Sequence, residues 1–326
     1  MSVELDLSLF NFQAGGLQPD GSYNFVPLAR AFLDGPHPDL LMLCEAKFWH
    51  ARGRRPLHTA MAHLAEVTGR PYVGELHTGA LATAVIYDPR VLRLDAAEEP
   101  EFPDKRNLTR FSLRADPTYR LHVYVEHWPY ADPEQRLARA RLLATSGTSP
   151  TPTLIAGDLN STSSGPHLPT PDWTHIPTST RDHKAHHHNG TWHADTRAID
   201  RLIGTWNTTT NQRVNSAGFH HLAELDPHTP TPLPPTTNGP HGLHIDYILA
   251  NHALLNTATV IPGTYQIHIP PDNNPTTWPS DHRRISCTLR IHTPQPAGAQ
   301  AGMTDTPHCG GGGMLNPSGK LQNEGA

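Results

Sequence analysis

The sequence predicts an α/β protein. Short apolar runs at residues 41–44, 121–125, 154–156 and 245–250 have the length and composition of strands, while residues 56–67 and 133–144 carry apolar side chains at helical spacing. A third observation joins the two: several strand ends carry a carboxylate, a carboxamide or an imidazole. Catalytic groups concentrate on loops held by a rigid sheet edge.

Residues 3–12 alternate polar and apolar, as a half-buried strand does, and reach Asn11 just before the Gly15-Gly16 turn. Residues 23–33 read as a helix with Phe25, Leu28, Ala29 and Phe32 on one face, closed by Pro36 and Pro38. A strand buried on both faces follows at 39–44, with Glu45 at its tip. The next helix, 56–67, presents Leu57, Met61, Leu64 and Ala65. Gly and Pro turns separate strand-like runs at 72–76, 80–87 and 92–94, and Asp116-Pro117 joins a strand pair at 108–113 and 119–125. The helix at 133–144 sets Leu137, Ala140, Leu142 and Leu143 among arginines. Residues 160–194 read as a long polar loop leading to a short helix at 194–203; a loop of that length is either functional or disordered. A short element at 219–225 precedes a proline-rich extended stretch, and strands at 245–250, 257–261 and 285–291 complete the domain. Residues 1–292 form this single domain. The tail, 293–326, is rich in Gly, Pro, Gln and Ala and is expected to be disordered.

Composition narrows the function. In 326 residues, 36% are hydrophobic and only 7% aromatic, while 33 Pro and 25 Gly require long connections. A net charge of −5 excludes a protein that coats nucleic acid by bulk electrostatics, so a phosphate ligand needs a local basic patch. Lysine occurs only at 47, 105, 184 and 320 among 25 basic residues; the arginine excess suits bidentate phosphate contacts and equally reflects genome composition. Cys44 and Cys287 fall inside apolar strand patterns, and with Cys309 they number three, which points to free thiols in a reducing compartment. With no basic leader and no long apolar run, the expected location is the cytoplasm, without a membrane segment. No stable protein partner is implied.

The chemistry centres on Leu154-Ile155-Ala156-Gly157-Asp158-Leu159-Asn160-Ser161, a strand that turns at Gly and delivers Asp158 and Asn160 together. Alone, Gly-Asp-x-Asn is also an ordinary turn. Other stretches answer it: Asn11 after Leu7-Ser8-Leu9-Phe10, Glu45 after Leu41-Met42-Leu43-Cys44, His127 after Leu121-His122-Val123-Tyr124-Val125-Glu126, Asp246 in His244-Ile245-Asp246-Tyr247-Ile248-Leu249, and Asp281-His282 in Trp278-Pro279-Ser280-Asp281-His282-Arg283. This set, in this order, resembles the endonuclease/exonuclease/phosphatase superfamily, and the resemblance covers residue 5 to about residue 291. It departs at Glu126, where relatives often carry Asn or Thr, and at Arg284, where Pro is common.

The resemblance implies a four-layer α/β/β/α sandwich, DNase I-like, which the order of elements permits. It implies a Mg2+-dependent phosphodiesterase, with Mn2+ as an alternative ion, acting on DNA or RNA as a nuclease. Glu45 would be the principal metal ligand, Asn11 would add its amide oxygen, and Asp281 would make a second or water-mediated contact. Asp158 would activate or orient water, Asn160 would hydrogen-bond the phosphate or that water, and Asp246 would orient His282 as base or transition-state stabiliser. At His127 the family divides: exonuclease III-like members carry Tyr, whereas DNase I, the sphingomyelinases and several phosphatases carry His, so this chain sides with the latter. Arg52, Arg54 and Arg55, with Lys47 and Trp49, could rim the substrate, and Trp128 with Tyr130 could stack on a base or acyl chain. Against the histidine cluster His183, His186, His187, His188 and His193 as a transition-metal site stands the absence of zinc-type spacing; it reads as a solvated loop. Two other readings stand beside the nuclease: an enzyme for a phosphoinositide, a sphingomyelin-like lipid or a small phosphate ester, and a binding or scaffold member that has lost turnover.

Overall fold

The computed structural model describes residues 2–97, 107–239, 241–269 and 280–292. The expected tail, Cys309, Lys105, Lys320 and the Trp278-Pro279 lead-in lie outside the described residues. In chain order the elements are β1 (Ser2–Asn11), α1 (Val26–Arg30), β2 (Leu40–Lys47), α2 (Ala51–Thr68), β3 (Val73–Leu76), β4 (Leu81–Tyr87), β5 (Leu92–Ala97), β6 (Leu108–Leu113), β7 (Arg120–His127), α3 (Pro133–Ala144) and β8 (Thr153–Asp158). They continue with α4 (Thr178–Lys184), β9 (Ala185–His188), β10 (Thr191–Ala194), α5 (Arg197–Ile203), β11 (Thr205–Asn207), β12 (Gln212–Val214), β13 (Phe219–His221), α6 (Leu222–Leu225), β14 (Asp246–Asn251), α7 (His252–Leu255), β15 (Ala258–Val260), β16 (Gln266–His268) and β17 (Arg284–His292).

Two sheets face each other. One runs β15-β17-β1-β2-β4-β3, with β16 also on β17; the other runs β13-β14-β8-β7-β6-β5. Each is antiparallel except for one internal parallel pair, β1 with β2 and β7 with β8. Alternation along the strands supplies the layers. Leu5, Leu7, Leu9, Leu40 and Met42 share a core cluster with Val123, Val125, Leu154 and Ala156, whereas Phe10, Leu41 and Leu43 cluster with Leu28 of α1 and Leu57 and Leu64 of α2. Helices α3 and α5 lie side by side, and their Ala140, Leu143, Ile199 and Leu202 join the cluster containing Ile155. This is the four-layer arrangement anticipated from the sequence.

One helix keeps its predicted bounds and other elements differ from expectation. Helix α3 matches its predicted bounds because Asp132 caps it, its carboxylate accepting from the Gln135 N–H at 2.9 Å, with Pro133 at the first position. Helix α1 is shorter than 23–33, although Phe25 and Phe32 are buried as predicted. The supposed loop between Asn160 and the 194–203 helix contains α4 and the β9–β10 hairpin. Its turn is Asn189-Gly190, both with positive φ (49° and 78°), the pairing that two-residue hairpins require. The histidines 186, 187 and 188 lie exposed on that hairpin. Cys44 and Cys287 are buried free thiols. Among the described residues no helix is long and apolar enough to cross a membrane.

Between the sheets, His77 accepts and donates on both sides. Thr83 Oγ1 gives its proton to the Val125 carbonyl (2.9 Å), so it accepts from His77 Nδ1 (2.9 Å), and Nε2 accepts from Thr109 (3.0 Å). Burial lowers the His77 imidazole to about 4, and His244 likewise to about 4. Both rings are neutral when folded and bind protons more readily when unfolded, so stability falls as pH drops through the window from the unfolded value near 6.5 to about 4. The melting temperature is expected to decline as pH falls from 6.5 towards 4; a melting temperature in differential scanning calorimetry that holds level or increases as pH falls through that window would contradict the neutral assignment. A second prediction concerns Gly157, where an added Cβ would sit 1.8 Å from the Glu126 carbonyl oxygen of the neighbouring strand. Gly157→Ala should cost about 3 kcal/mol in denaturant titration, because backbone rather than a flexible side chain blocks the methyl.

Candidate active site

Topology explains why distant polar residues meet. Asn11 ends β1 and Glu45 lies near the end of β2, while His127 and Asp158 end the other parallel pair in direct register. Strand β14 runs antiparallel to β8 with Asp246 opposite Asp158, so its first residue arrives where β8 finishes. Strand β17 is antiparallel to β1, which brings residues 280–283 to the same edge.

Local backbone irregularities then aim the side chains. Between Leu43 and Ala46 strand β2 carries one residue more than β4 opposite it, a bulge, and Glu45 adopts φ +61° within it. A non-glycine residue in that region costs about 1–3 kcal/mol and persists where the surroundings enforce it. Here the Glu45 Oε2 accepts from the Ala14 N–H at 2.7 Å, leaving Oε1 towards the cavity groups. Asn160 also has a left-handed φ of +50°, and its own N–H donates to Asp158 Oδ1 at 3.0 Å.

One atom is the meeting point. Asp158 Oδ2 lies 3.1 Å from Asn11 Nδ2, 3.6 Å from His127 Nε2 and 3.6 Å from His282 Nε2. Asn11 Nδ2 also reaches Glu45 Oε1 at 3.3 Å, and His127 Nε2 stands 3.8 Å from that same oxygen. His282 Nδ1 is 2.8 Å from Asp246 Oδ2. Burial alone would lower the His282 imidazole, but Asp246 and Asp158 outweigh it and raise it to about 10. Burial raises the Asp246 carboxyl, with His282 pulling it back. Asp246 is braced by Thr236, whose Oγ1 accepts from the Ile245 and Asp246 N–H groups at 3.0 and 3.1 Å. Ser280 Oγ donates to the Asn11 carbonyl at 2.6 Å and accepts from the His282 N–H at 3.1 Å, tying two stations together.

These groups open on a cavity of about 530 Å³, lined by Glu45, His127, Asp158, Asn160, Asp281 and His282, together with Tyr130, Ile176, Pro177, Leu243 and Ile245. Asp281 is exposed at its edge. Lys184, which no motif marked, is buried in the wall, and burial pulls its ammonium down to about 7. Thr236 and Lys184 carried no sequence signal because each acts through a contact made only after folding.

Other expected site residues fall elsewhere. Trp128 is 1% exposed, and its indole N–H donates to Glu126 Oε2 at 3.1 Å, so it packs in the core and offers no stacking face. Trp49 is buried likewise, donating to the Gly15 carbonyl at 3.0 Å. Arg52, Arg54 and Arg55 do not line the cavity; Arg54 pairs with Glu75 at 2.7 Å. Tyr130, named beside Trp128, does line it.

A cation would find oxygen ligands here. Asn11 Oδ1 is buried without a hydrogen-bond partner, beside Glu45 and Asp158. Asp158, Asp246 and His282 also place one ligand atom each within 4.8 Å of one another. Because His282 Nδ1 is engaged with Asp246, the oxygen-rich side at Asn11 and Glu45 suits a hard divalent ion better.

A double-sheet core with carboxylates, a carboxamide and imidazoles converging at one edge defines a metal-dependent phosphoric-ester hydrolase. The chain belongs to the Endonuclease/Exonuclease/phosphatase family, whose model matches residues 21–282. Among solved structures it is similar to ANGEL2, a 2′,3′-cyclic phosphatase in complex with adenosine-2′,3′-vanadate, at 14% identity over 90% of this chain and 97% of that one, with a TM-score of 0.53. It is similar too to the human Nocturnin catalytic domain with bound sulfate, at 13% identity over 89% and 96%, TM-score 0.52. Humanized D. rerio TDP2 carrying 14 mutations aligns at 14% identity over 88% and 98%, TM-score 0.51. Likeness at such identities establishes the shared fold. No curated protein sequence matches significantly.

The placement of Trp128 and the arginines is testable. Trp128→Phe should cost about 1.5 kcal/mol of stability, from the lost buried hydrogen bond, and leave KM within twofold. Joint replacement of Arg52 and Arg55 by Ala should change kcat/KM less than twofold; a larger loss in steady-state assays would return them to the substrate path.

Proposed function

We propose that the protein hydrolyses a phosphate ester carried by a single nucleotide or by an unpaired end of a nucleic acid, using a divalent cation. The observation that carries this reading is the convergence of Asn11, His127 and His282 nitrogens on one oxygen of Asp158. Asn11 Oδ1 and Glu45, with Asp281 at the edge, would hold magnesium or manganese, which would supply positive charge to the phosphoryl oxygens.

The protein groups divide the remaining work. Asp158, with Oδ1 fixed by the Asn160 N–H, turns Oδ2 to the cavity to orient water and accept its proton. His282, held at Nδ1 by Asp246, presents Nε2 as a donor to a non-bridging oxygen. His127, half-buried between Glu45 and Asp158, is the other candidate donor, and Asn160 would hydrogen-bond the phosphoryl group.

Substrate scale follows from the walls. The cavity is nucleotide-sized, and Ile176, Pro177, Leu243 and Ile245 offer apolar surface with the Tyr130 ring nearby. Among the described residues lining it, Lys184 is the sole lysine or arginine. Duplex binding by phosphate neutralisation needs a track of such charges, about 6–10 contacts, so strand ends and nucleotides fit this surface better than internal duplex sites. ANGEL2, with its adenosine-2′,3′-vanadate ligand, is a 2′,3′-cyclic phosphatase of the same fold, and that supports including cyclic nucleotides among the substrates.

The test is a panel: 2′,3′-cyclic AMP, 3′- and 5′-mononucleotides, single-stranded DNA, RNA, plasmid and a phosphoinositide, each with Mg2+, Mn2+ or EDTA. Turnover of nucleotides or single-strand ends, abolished by EDTA and lowered about 10³-fold by Asp158→Ala, is expected. Faster plasmid nicking would reject the nucleotide-scale pocket, activity confined to the lipid would move the substrate class, and inactivity throughout with no metal binding would leave a binding protein.

A further inference from the structure

Lys184 closes α4 and is 3% exposed. Its Nζ donates to the Asn160 carbonyl oxygen at 2.8 Å and to Asn160 Oδ1, and it lies 4.5 Å from the centre of the Tyr130 ring. Among the described residues no carboxylate comes within 4.0 Å of it. Burying an ammonium without an ion-pair partner is costly, which makes its contacts with Asn160 informative. The lysine is also held from behind. Arg136, buried in α3, donates to the carbonyls of Pro129 (3.0 Å), Tyr130 (2.7 Å) and His183, and to Ser161 Oγ (2.9 Å). That guanidinium joins the β7 exit, the β8 exit and the end of α4.

An asparagine amide has two ends of similar shape and opposite polarity, and only its neighbours decide which points where. Asn160 Nδ2 donates to the Trp128 carbonyl at 3.0 Å, which can only accept. Lys184, charged or neutral, turns N–H groups to the opposite end. We infer that Lys184 is a positioning residue that locks the Asn160 amide in one orientation, so that the Nδ2 hydrogen not taken by Trp128 faces the phosphoryl group. This rests on the proposed contact between Asn160 and phosphate, and on a lysine that belongs to the segment between β8 and α5, outside every recognised motif.

The experiment is a double-mutant cycle on the full chain with bis(p-nitrophenyl) phosphate and Mn2+, comparing Lys184→Met, Asn160→Ala and the double variant. Lys184→Met should lower kcat about 10–50-fold with KM within threefold, and the double variant should fall no further than Asn160→Ala alone, within twofold. Multiplying losses, or a kcat within twofold of wild type in Lys184→Met, would overturn the inference. A second readout does not require turnover: in the metal-free protein the side-chain ¹⁵N–¹H pair of Asn160 should move in Lys184→Met, and an unmoved pair would also overturn it. If that variant does not fold, wild type decides, since one of the two Asn160 Nδ2 hydrogens should shift when inorganic phosphate is added and neither shifting is the contrary result. Failure of the diester assay alone, with the Asn160 resonances behaving as expected, would count against the hydrolase reading and leave the lock standing.

Discussion

A thiol fixes the two sheets against each other directly beneath the reactive edge. Cys44 Sγ donates to the Glu126 carbonyl at 3.3 Å and accepts from the Asp158 N–H at 3.4 Å, so one β2 side chain bonds the backbones of β7 and β8. Burial pushes this thiol well above its ordinary range, which keeps it protonated and able to donate. With the sheet tips set by that contact, the bulge that follows at Glu45 and the turn at Gly157 have a fixed frame in which to aim their carboxylates.

Electrostatics completes the constraint. Glu45, Asp158 and Asp246 crowd one edge, and like charges so placed repel in a partly buried site. The imidazoles of His127 and His282 and the Asn11 amide stand between them, each facing two acidic groups. The arrangement leaves the Asn11 Oδ1 without a donor, so the site's unmet demand is for positive charge on its oxygen side.

Much of this was legible in the chain because strand ends advertise themselves: an apolar run that stops on Asp, Glu, Asn or His reads the same in one dimension as in three. The same holds for α3, whose start is written in Asp132-Pro133. What escaped was encoded in pairings rather than runs. The β9–β10 hairpin is polar and histidine-rich, so its alternation carries no hydrophobic contrast, although Asn189-Gly190 was a usable turn signal. Trp128 looked like a stacking platform because of its neighbour His127, yet it faces inward to satisfy Glu126. Lys184 was one charge in a polar stretch until folding placed it against Asn160.

The wall that carries Ile176, Pro177 and Lys184 is built by one excursion of the chain between β8 and α5, whose Trp173, Ile176 and Ala185 cluster with Leu243 and Ile245 from the lead-in to β14. The reactive edge, by contrast, is made from the strands of the two sheets. Selectivity and reactivity therefore meet at Lys184: a graft of that excursion from another member of the fold would replace Ile176 and Pro177 in the pocket wall, and would keep the Asn160 amide in its original orientation only if it brought a donor to the same place.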